Sequence, residues 1–217
     1  MRAFDVALVH YGELSLKGGN RPAFEKILIE NILRVTEPLG LTKLRRVRGR
    51  LLLELNGFRD MEGLGASLRS VFGISWFAMA FQIDQDLKAI EKSLREIAPD
   101  FIGPADSFRV LTKRADKSFQ KSSVELNEIL GKIVQEATGS RVSLKAFDKE
   151  VLIELSGGKA YVFFERKRGL GGLPVGSSGK VLALFSGGID SPVAAWLAMK
   201  RGCSVSYVHF HPFSESR

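Results

Sequence analysis

The sequence predicts an α/β protein built in series. An α+β unit of β-α-β-β-α-β order is followed by a second α/β unit, and then by the start of a doubly wound parallel α/β domain. Three observations carry this prediction. Strand-like and helix-like apolar periods alternate in that order over residues 1–83, and a second alternating series fills 84–167. After a glycine-rich stretch, 168–179, with no apolar period, KVLALFSGGIDS at Lys180–Ser191 reads as a buried strand running into a Ser-Gly-Gly turn and a helix.

The first strand spans Phe4–His10. The loop Gly12–Arg21, GELSLKGGNR, then holds Lys17 and Arg21 beside three glycines. A helix from about Pro22 to Pro38 puts Phe24, Ile27, Leu28, Ile32 and Val35 on one face, with Pro22 in the first turn, where a missing N–H is harmless. Leu41–Val47 and Arg50–Leu55 pair as a hairpin bent at Gly49. Met61, Leu64, Leu68 and Val71 mark a second helix, and Gly73–Ile83 is the last strand of the unit. This order is that of a ferredoxin-like fold.

In the second unit Leu87, Ile90, Leu94 and Ile97 line a helix that ends before Pro99. Phe108–Lys113 is a strand, and the basic loop Arg114–Lys121 follows it. The helix Ser122–Ala137 opens with a capping box, Ser122 with Glu125, and turns Val124, Ile129, Ile133 and Val134 inward. Val142–Ala146 is a short strand, and Glu150–Leu155 with Lys159–Glu165 forms a hairpin around Ser156-Gly157-Gly158. Residues 168–179 read as a linker.

Composition narrows the function classes. At 217 residues the chain can bury real cores, and no run of about eighteen apolar residues marks a membrane span. The N-terminus alternates like a strand instead of forming a signal peptide, so a cytoplasmic location with no membrane partner is the default expectation. Cys203 is the only cysteine, which excludes an intrachain disulfide and a cysteine zinc site. A net charge of +8 suits a polyanionic partner such as nucleic acid.

The turn after Val181–Phe185 has the chemistry of a phosphate cradle. Gly187 and Gly188 lack Cβ atoms, so the backbone can take unusual dihedrals and gather its N–H groups around an anion. Ser186 and Ser191 add hydroxyls, and the helix over Pro192–Arg201 points its positive end at the same spot. The spacing GxxxxGK[ST] is absent, so this is not a Walker P-loop. No third glycine makes it a dinucleotide fingerprint either.

Four segments together carry a resemblance. GELSLKGGNRPAFE at Gly12–Glu25, LTKRADKSF at Leu111–Phe119, KRGLGGLPVGSSGKVLALFSGGIDSPVA at Lys167–Ala194 and VHFH at Val208–His211 occur in the order seen in ThiI-type tRNA sulfurtransferases. The chain resembles that family along its whole length. The resemblance implies an N-terminal ferredoxin-like domain (1–83), a tRNA-binding THUMP domain (84–167), a linker (168–179) and the start of a PP-loop ATP pyrophosphatase domain (180–217). It also implies an activity: adenylation of uridine 8 of tRNA with ATP, then replacement of the activated oxygen by sulfur to give 4-thiouridine. Many members also serve synthesis of the thiamine thiazole. The implied partners are tRNA and a sulfur donor such as a cysteine desulfurase, and a homodimer is compatible with the resemblance.

Residue chemistry gives each candidate a role beside a plainer one. Ser186, Gly187, Gly188 and Ser191 would hold the pyrophosphate end of ATP, with Ser186 and Asp190 the catalytic candidates. Asp190 would coordinate Mg²⁺ or, alternatively, cap the following helix. By resemblance, Leu184, Phe185, His209 and Phe210 would contact the nucleotide from two adjacent strand ends, the usual ligand crevice of a parallel sheet. His209 is also readable as a packed or surface histidine, and His211 is read as one. Lys113, Arg114, Lys117 and Lys121 flank Phe119 on one loop, where cations meet phosphates and an aromatic stacks on an unpaired base. Phe119 is also readable as a core residue. Lys43, Arg45, Arg46, Arg48 and Arg50 form a second basic cluster, with Lys17 and Arg21 nearby; a solvated charged face is the plain alternative.

Two strands and one helix do not complete a doubly wound domain, so the sequence is expected to be a fragment of a longer enzyme. Cys203, at the start of a strand, is expected to be a buried structural thiol and not a sulfur carrier. Two other readings are a tRNA-binding module without catalysis and a different PP-loop ligase acting on a small molecule.

Overall fold

The structure is a computed structural model that describes residues 2–13, 18–47, 49–115 and 119–210. Lys17, Arg48, Lys117 and His211, all named above, lie outside the described residues. In chain order the elements are β1 (Val6–Tyr11), α1 (Arg21–Thr36), β2 (Leu44–Val47), β3 (Arg50–Glu54), α2 (Met61–Arg69) and β4 (Ile74–Asp84). Then come α3 (Leu87–Ile97), β5 (Ser107–Arg114), α4 (Ser123–Thr138), β6 (Arg141–Val142), β7 (Lys149–Ser156), β8 (Lys159–Phe163) and β9 (Lys167–Arg168). The last three are β10 (Lys180–Leu184), α5 (Asp190–Lys200) and β11 (Ser204–Val208).

The chain divides into two compact units. The first comprises Met1–Leu8, Lys43–Met61 and Ala78–Lys167; the second comprises Val9–Thr42, Glu62–Phe77 and Arg168–Arg217.

In the first unit the strands hydrogen-bond in the order β2-β3-β1-β4-β8-β7-β5-β6. The β2-β3-β1-β4 part, with its β-α-β-β-α-β chain order, is ferredoxin-like. The β2–β3 hairpin closes on the pair Val47–Arg50, and the β7–β8 hairpin on Ser156–Lys159, as the turn residues predict. A core of Phe81, Ile90, Leu94, Phe108, Leu126, Leu130, Val151 and Ile153 joins α3 and α4 to the sheet. The capping box forms: the Ser122 hydroxyl accepts from Glu125 N–H and the Glu125 carboxylate from Ser122 N–H.

Two expectations in this unit are corrected. Val134 is buried and Ile129 and Ile133 pack against the core as expected, but Val124 is 66% exposed, and Leu126 and Leu130 complete the inward face. The helical phase is therefore set by the i, i+4, i+8 row that meets the β5 strand. The strand expected over Val142–Ala146 is only Arg141–Val142; beyond it the Asp148 carboxylate caps Ser107 N–H and Oγ, so the chain turns away.

In the second unit α1 buries Glu25, Leu28, Ile32 and Thr36, and the linker is no free tether. Gly169 and Gly171 donate to the Ser75 and Ile74 carbonyls, and Asn31 Nδ2 reaches the Val175 carbonyl at 3.0 Å. Leu173 is buried and donates to the Lys200 carbonyl at the end of α5. β10 and β11 pair in parallel from Lys180–Ser204 to Leu184–Val208. The expected burial of β10 on both faces is not found: Leu182 is 64% and Leu184 68% exposed, because among the described residues one strand and one helix flank it. Cys203 is likewise only half-buried, its thiol 3.7 Å from the Ser178 carbonyl.

Candidate functional site

The turn after β10 is shaped by its two serines. Ser191 Oγ accepts from Ser186 N–H at 3.1 Å and lies 3.1 Å from Ser186 Oγ, which in turn accepts from Gly188 N–H at 3.3 Å. The hydroxyls thus tie the bend to the first turn of α5, and the Ser186 and Gly188 amides meet hydroxyls, not carbonyls. Neither Gly187 nor Gly188 takes a positive φ, so the unusual dihedrals expected there are not used. A Cβ on Gly187 would meet nothing within 4 Å. Among the described residues, neither a positive φ nor close packing therefore requires a glycine at 187.

The pairing of β10 with β11 brings the two strand ends together. Phe185 N–H donates to the Val208 carbonyl at 2.7 Å, and His209 Nδ1 lies 2.6 Å from the Phe185 carbonyl. Leu184, Phe185, Ser186, Gly187, His209 and Phe210 line one cleft of about 400 Å³. Phe210 is 80% exposed at its mouth. Asp190 is the first residue of α5 and is exposed; the cap position is Ile189, and no side chain caps this helix. The capping alternative for Asp190 is therefore not realised, and its carboxylate stands at the positive end of the helix. Among the described residues no group of three or more His, Cys, Asp or Glu side chains is poised to hold a metal. One carboxylate suits Mg²⁺ only where phosphate oxygens complete the ion's shell.

The basic loop after β5 is partly self-bound. The Arg114 guanidinium donates to the Phe119 carbonyl at 3.0 Å and to the Lys121 carbonyl, so it braces the loop from within. Phe119 packs against the core of the first unit, in line with its plainer reading. Lys113 is exposed and Lys121 half-exposed.

Two members of the hairpin cluster, Arg45 and Arg50, face carboxylates. Arg50 is buried against Glu154, and Arg45 lies 3.6 Å from Glu54 and 3.1 Å from Gln82. Arg21 donates to Glu25 at 2.7 Å and to the Tyr11 hydroxyl at 2.9 Å.

Three family models match the chain: the ThiI ferredoxin-like domain over residues 6–78, the THUMP domain over 84–165, and the thiamine biosynthesis protein (ThiI) over 176–216. A probable tRNA sulfurtransferase of Brevibacillus brevis is 41% identical over 217 residues, which are 99% of this chain and 54% of that protein. The chain belongs to the ThiI family. Two solved structures resemble this ThiI-family chain. PH1313 from Pyrococcus horikoshii has a TM-score of 0.84 at 30% identity, over 94% of this chain and 68% of that one. A 4-thiouridine synthetase solved with RNA and bound ATP has a TM-score of 0.82 at 34% identity, over 96% of this chain and 53% of that one. The chain spans about half the length of the curated relatives it matches. No helix among the described residues is long and apolar enough to cross a membrane.

Two polar clusters in this ThiI-family chain were missed by sequence reasoning. Tyr11, Glu25 and Arg21 form a connected group at the two ends of the Gly12–Arg21 loop. The signal was present: Glu25 shares the i, i+3, i+7 row of Leu28 and Ile32, so a carboxylate occupies an inward position of α1. Glu154 likewise interrupts the fully buried run of β7, where a charge needs a partner, and Arg50 supplies it.

Proposed function

We propose that this chain is the ATP-holding and RNA-presenting part of a tRNA sulfurtransferase that converts uridine 8 of tRNA to 4-thiouridine. In this reading the uracil O4 attacks the α-phosphorus of ATP, the bond to the β-phosphate oxygen breaks and pyrophosphate leaves. The donor's sulfur then adds at C4 and AMP departs with the former O4; persulfide sulfur, such as a cysteine desulfurase supplies, stays linked to the donor until a thiol attacks the donor's sulfur, releasing 4-thiouridine and leaving donor and thiol as a disulfide. Residues 1–83 serve as the ferredoxin-like domain, 84–167 as the tRNA-binding THUMP domain, 168–179 as the linker and 180–217 as the start of the PP-loop domain.

Ser186, Gly187, Gly188 and Ser191 take the pyrophosphate moiety, where fixed donors stabilise the charge that develops as it leaves. Leu184, Phe185, His209 and Phe210 border the nucleoside, and Asp190 would help hold a Mg²⁺ ion, which would offset phosphate charge. Lys113, Lys117, Lys121 and Lys17 meet RNA phosphates, with Arg114 and Phe119 shaping the loop after β5, whereas Arg21 is committed to Glu25 and Tyr11.

The observation that carries the reading is the open space at Gly187, at the mouth of a cleft between two parallel strand ends. Support also comes from the 4-thiouridine synthetase, whose structure holds RNA and ATP and which is 34% identical to this chain. Equilibrium dialysis with ATP and Mg²⁺ tests the cradle. A Cβ at 187 meets nothing within 4 Å, so Gly187→Leu is expected to fold, as its melting curve checks, and to lose ATP binding. A variant that binds ATP as well as the wild type removes the cradle. Pyrophosphate release tests the enzyme: release only with a tRNA bearing uridine 8 supports it, and tRNA binding without release favours a binding module.

A further inference from the structure

A cavity of about 670 Å³ in the first unit lies along β5 and β7, and none of its lining residues belongs to the Ser-Gly-Gly turn. Its walls are flat. The Arg109 guanidinium sits 4.0 Å over the Phe147 ring, and Phe101 stacks on Phe164 at 4.1 Å with 5° between the ring planes. Leu152, almost fully buried, also lines it.

Glu150 fixes the guanidinium plane: Arg109 Nε donates to its Oε1 at 2.7 Å, and Arg166 approaches its other oxygen at 3.4 Å. The planar group is therefore preorganised, which reduces the ordering cost of stacking something on it. Three basic and three acidic side chains line the cavity, so their formal charges cancel and it has no net pull on a phosphate. What suits such a place is a flat, uncharged ring with polar edges.

We propose that this cavity is a subsite for an unpaired nucleobase of a bound RNA, with the Arg109–Phe147 and Phe101–Phe164 pairs as its flat walls. The proposal rests on the RNA reading above and extends it to residues outside the basic loop. Strand geometry favours RNA over a peptide side chain. Along β5, Phe108, Val110 and Thr112 are buried, whereas Arg109, Leu111 and Lys113 share the other face. Arg109 and Lys113 are thus on one surface about 13 Å apart at strand rise. A single strand whose phosphate meets Lys113 can lay a base into the cavity without crossing the sheet. Its affinity there comes from stacking and base-edge hydrogen bonds, so it is insensitive to salt, unlike that of the loop.

Fluorescence anisotropy with a labelled single-stranded oligoribonucleotide and with a blunt RNA hairpin, each at two salt concentrations, tests this. Phe147→Ala is expected to weaken single-strand binding about tenfold, with the hairpin affinity and the slope of log K against log salt unchanged. Arg109→Lys keeps the charge but loses the flat face, and gives the same pattern should the first variant fold poorly. Wild-type affinity for the single strand in either folded variant overturns the subsite. So does a parallel loss on the hairpin, or a reduced salt slope. Those results leave the wild-type affinity for RNA in place; a wild-type chain that binds neither RNA defeats the RNA reading itself, and the subsite with it.

Discussion

At the scale of single residues, the group formed by Tyr11, Glu25 and Arg21 shows how α1 accepts a carboxylate on its inward face. Glu25 is buried but accepts from both the Tyr11 hydroxyl and Arg21 Nε, so the cost of removing it from water is offset by charge-assisted hydrogen bonds. Burial, and then the hydrogen bond to Glu25, pushes the Tyr11 phenol above its ordinary value of 10.0. In the unfolded chain that phenol ionises near 10, and in the folded chain only at higher pH. Between the two, the unfolded state has released a proton that the folded state keeps, so stability is fully present below pH 10 and falls as pH rises beyond it. Tyr11→Phe is expected to cost about 1 kcal/mol at neutral pH through the lost hydrogen bond, and to flatten part of the alkaline fall. Urea midpoints measured from pH 8 to 11 check this. Equal alkaline slopes in the two proteins would remove Tyr11 as a cause; the remaining slope includes Tyr161, whose phenol burial also raises.

Among the elements, the segment between β9 and β10 departs most from its sequence reading. It looked like a tether because it has no apolar period, yet Gly171, Leu173 and Gly176 are hydrogen-bonded to Ile74, Lys200 and Gly202 respectively. Gly172 explains why glycine is needed there: it has φ +74°, and a Cβ would stand 2.2 Å from the Lys200 carbonyl oxygen. Gly171 has a similar φ, +64°, and open space around it. The two make a matched pair. Gly171→Ala carries only the left-handed backbone cost, about 1 kcal/mol. Gly172→Ala adds the clash with α5 and is expected to cost at least about 2 kcal/mol. Equal shifts of the urea midpoint would show that the strap does not press on α5.

The same comparison explains what the sequence could tell. Both hairpins, the Ser122–Glu125 capping box and the helix-strand order depend on residues close in the chain, and they were legible. The meeting of Leu184–Phe185 with His209–Phe210 was expected from the family resemblance, and the parallel pairing of β10 with β11 brings it about. The phase of Val124, the exposure of β10, the docking of the linker and the partners of Glu25 and Glu154 depend on distant segments. An apolar run cannot say how many neighbours will cover it, and a run of arginines cannot say which of them will find carboxylates.

For the whole molecule, this last point decides where a net charge of +8 can act. The hairpin looked like a second basic face from its sequence alone, but Arg50 is buried against Glu154, and Arg45 faces Glu54 and Gln82. Such pairs are already neutralised and release few counterions from an RNA, whereas Lys113 is exposed and enters no ion pair among the described residues. Under the proposed tRNA role, the dependence of tRNA affinity on salt therefore separates the two regions. Lys113→Ala is expected to weaken binding and reduce the slope of log K against log salt by about 1. Arg45→Ala is expected to leave the slope unchanged, since that guanidinium already faces the Glu54 carboxylate at the surface. Arg114→Ala is a third case: its guanidinium holds two loop carbonyls, so its loss is expected to lower affinity by loosening the loop that carries Lys121 as well as by removing a charge. Titrations of one tRNA at four salt concentrations distinguish these outcomes. A reduced slope for Arg45→Ala together with an unchanged one for Lys113→Ala would move the RNA face from the loop after β5 to the β2–β3 hairpin.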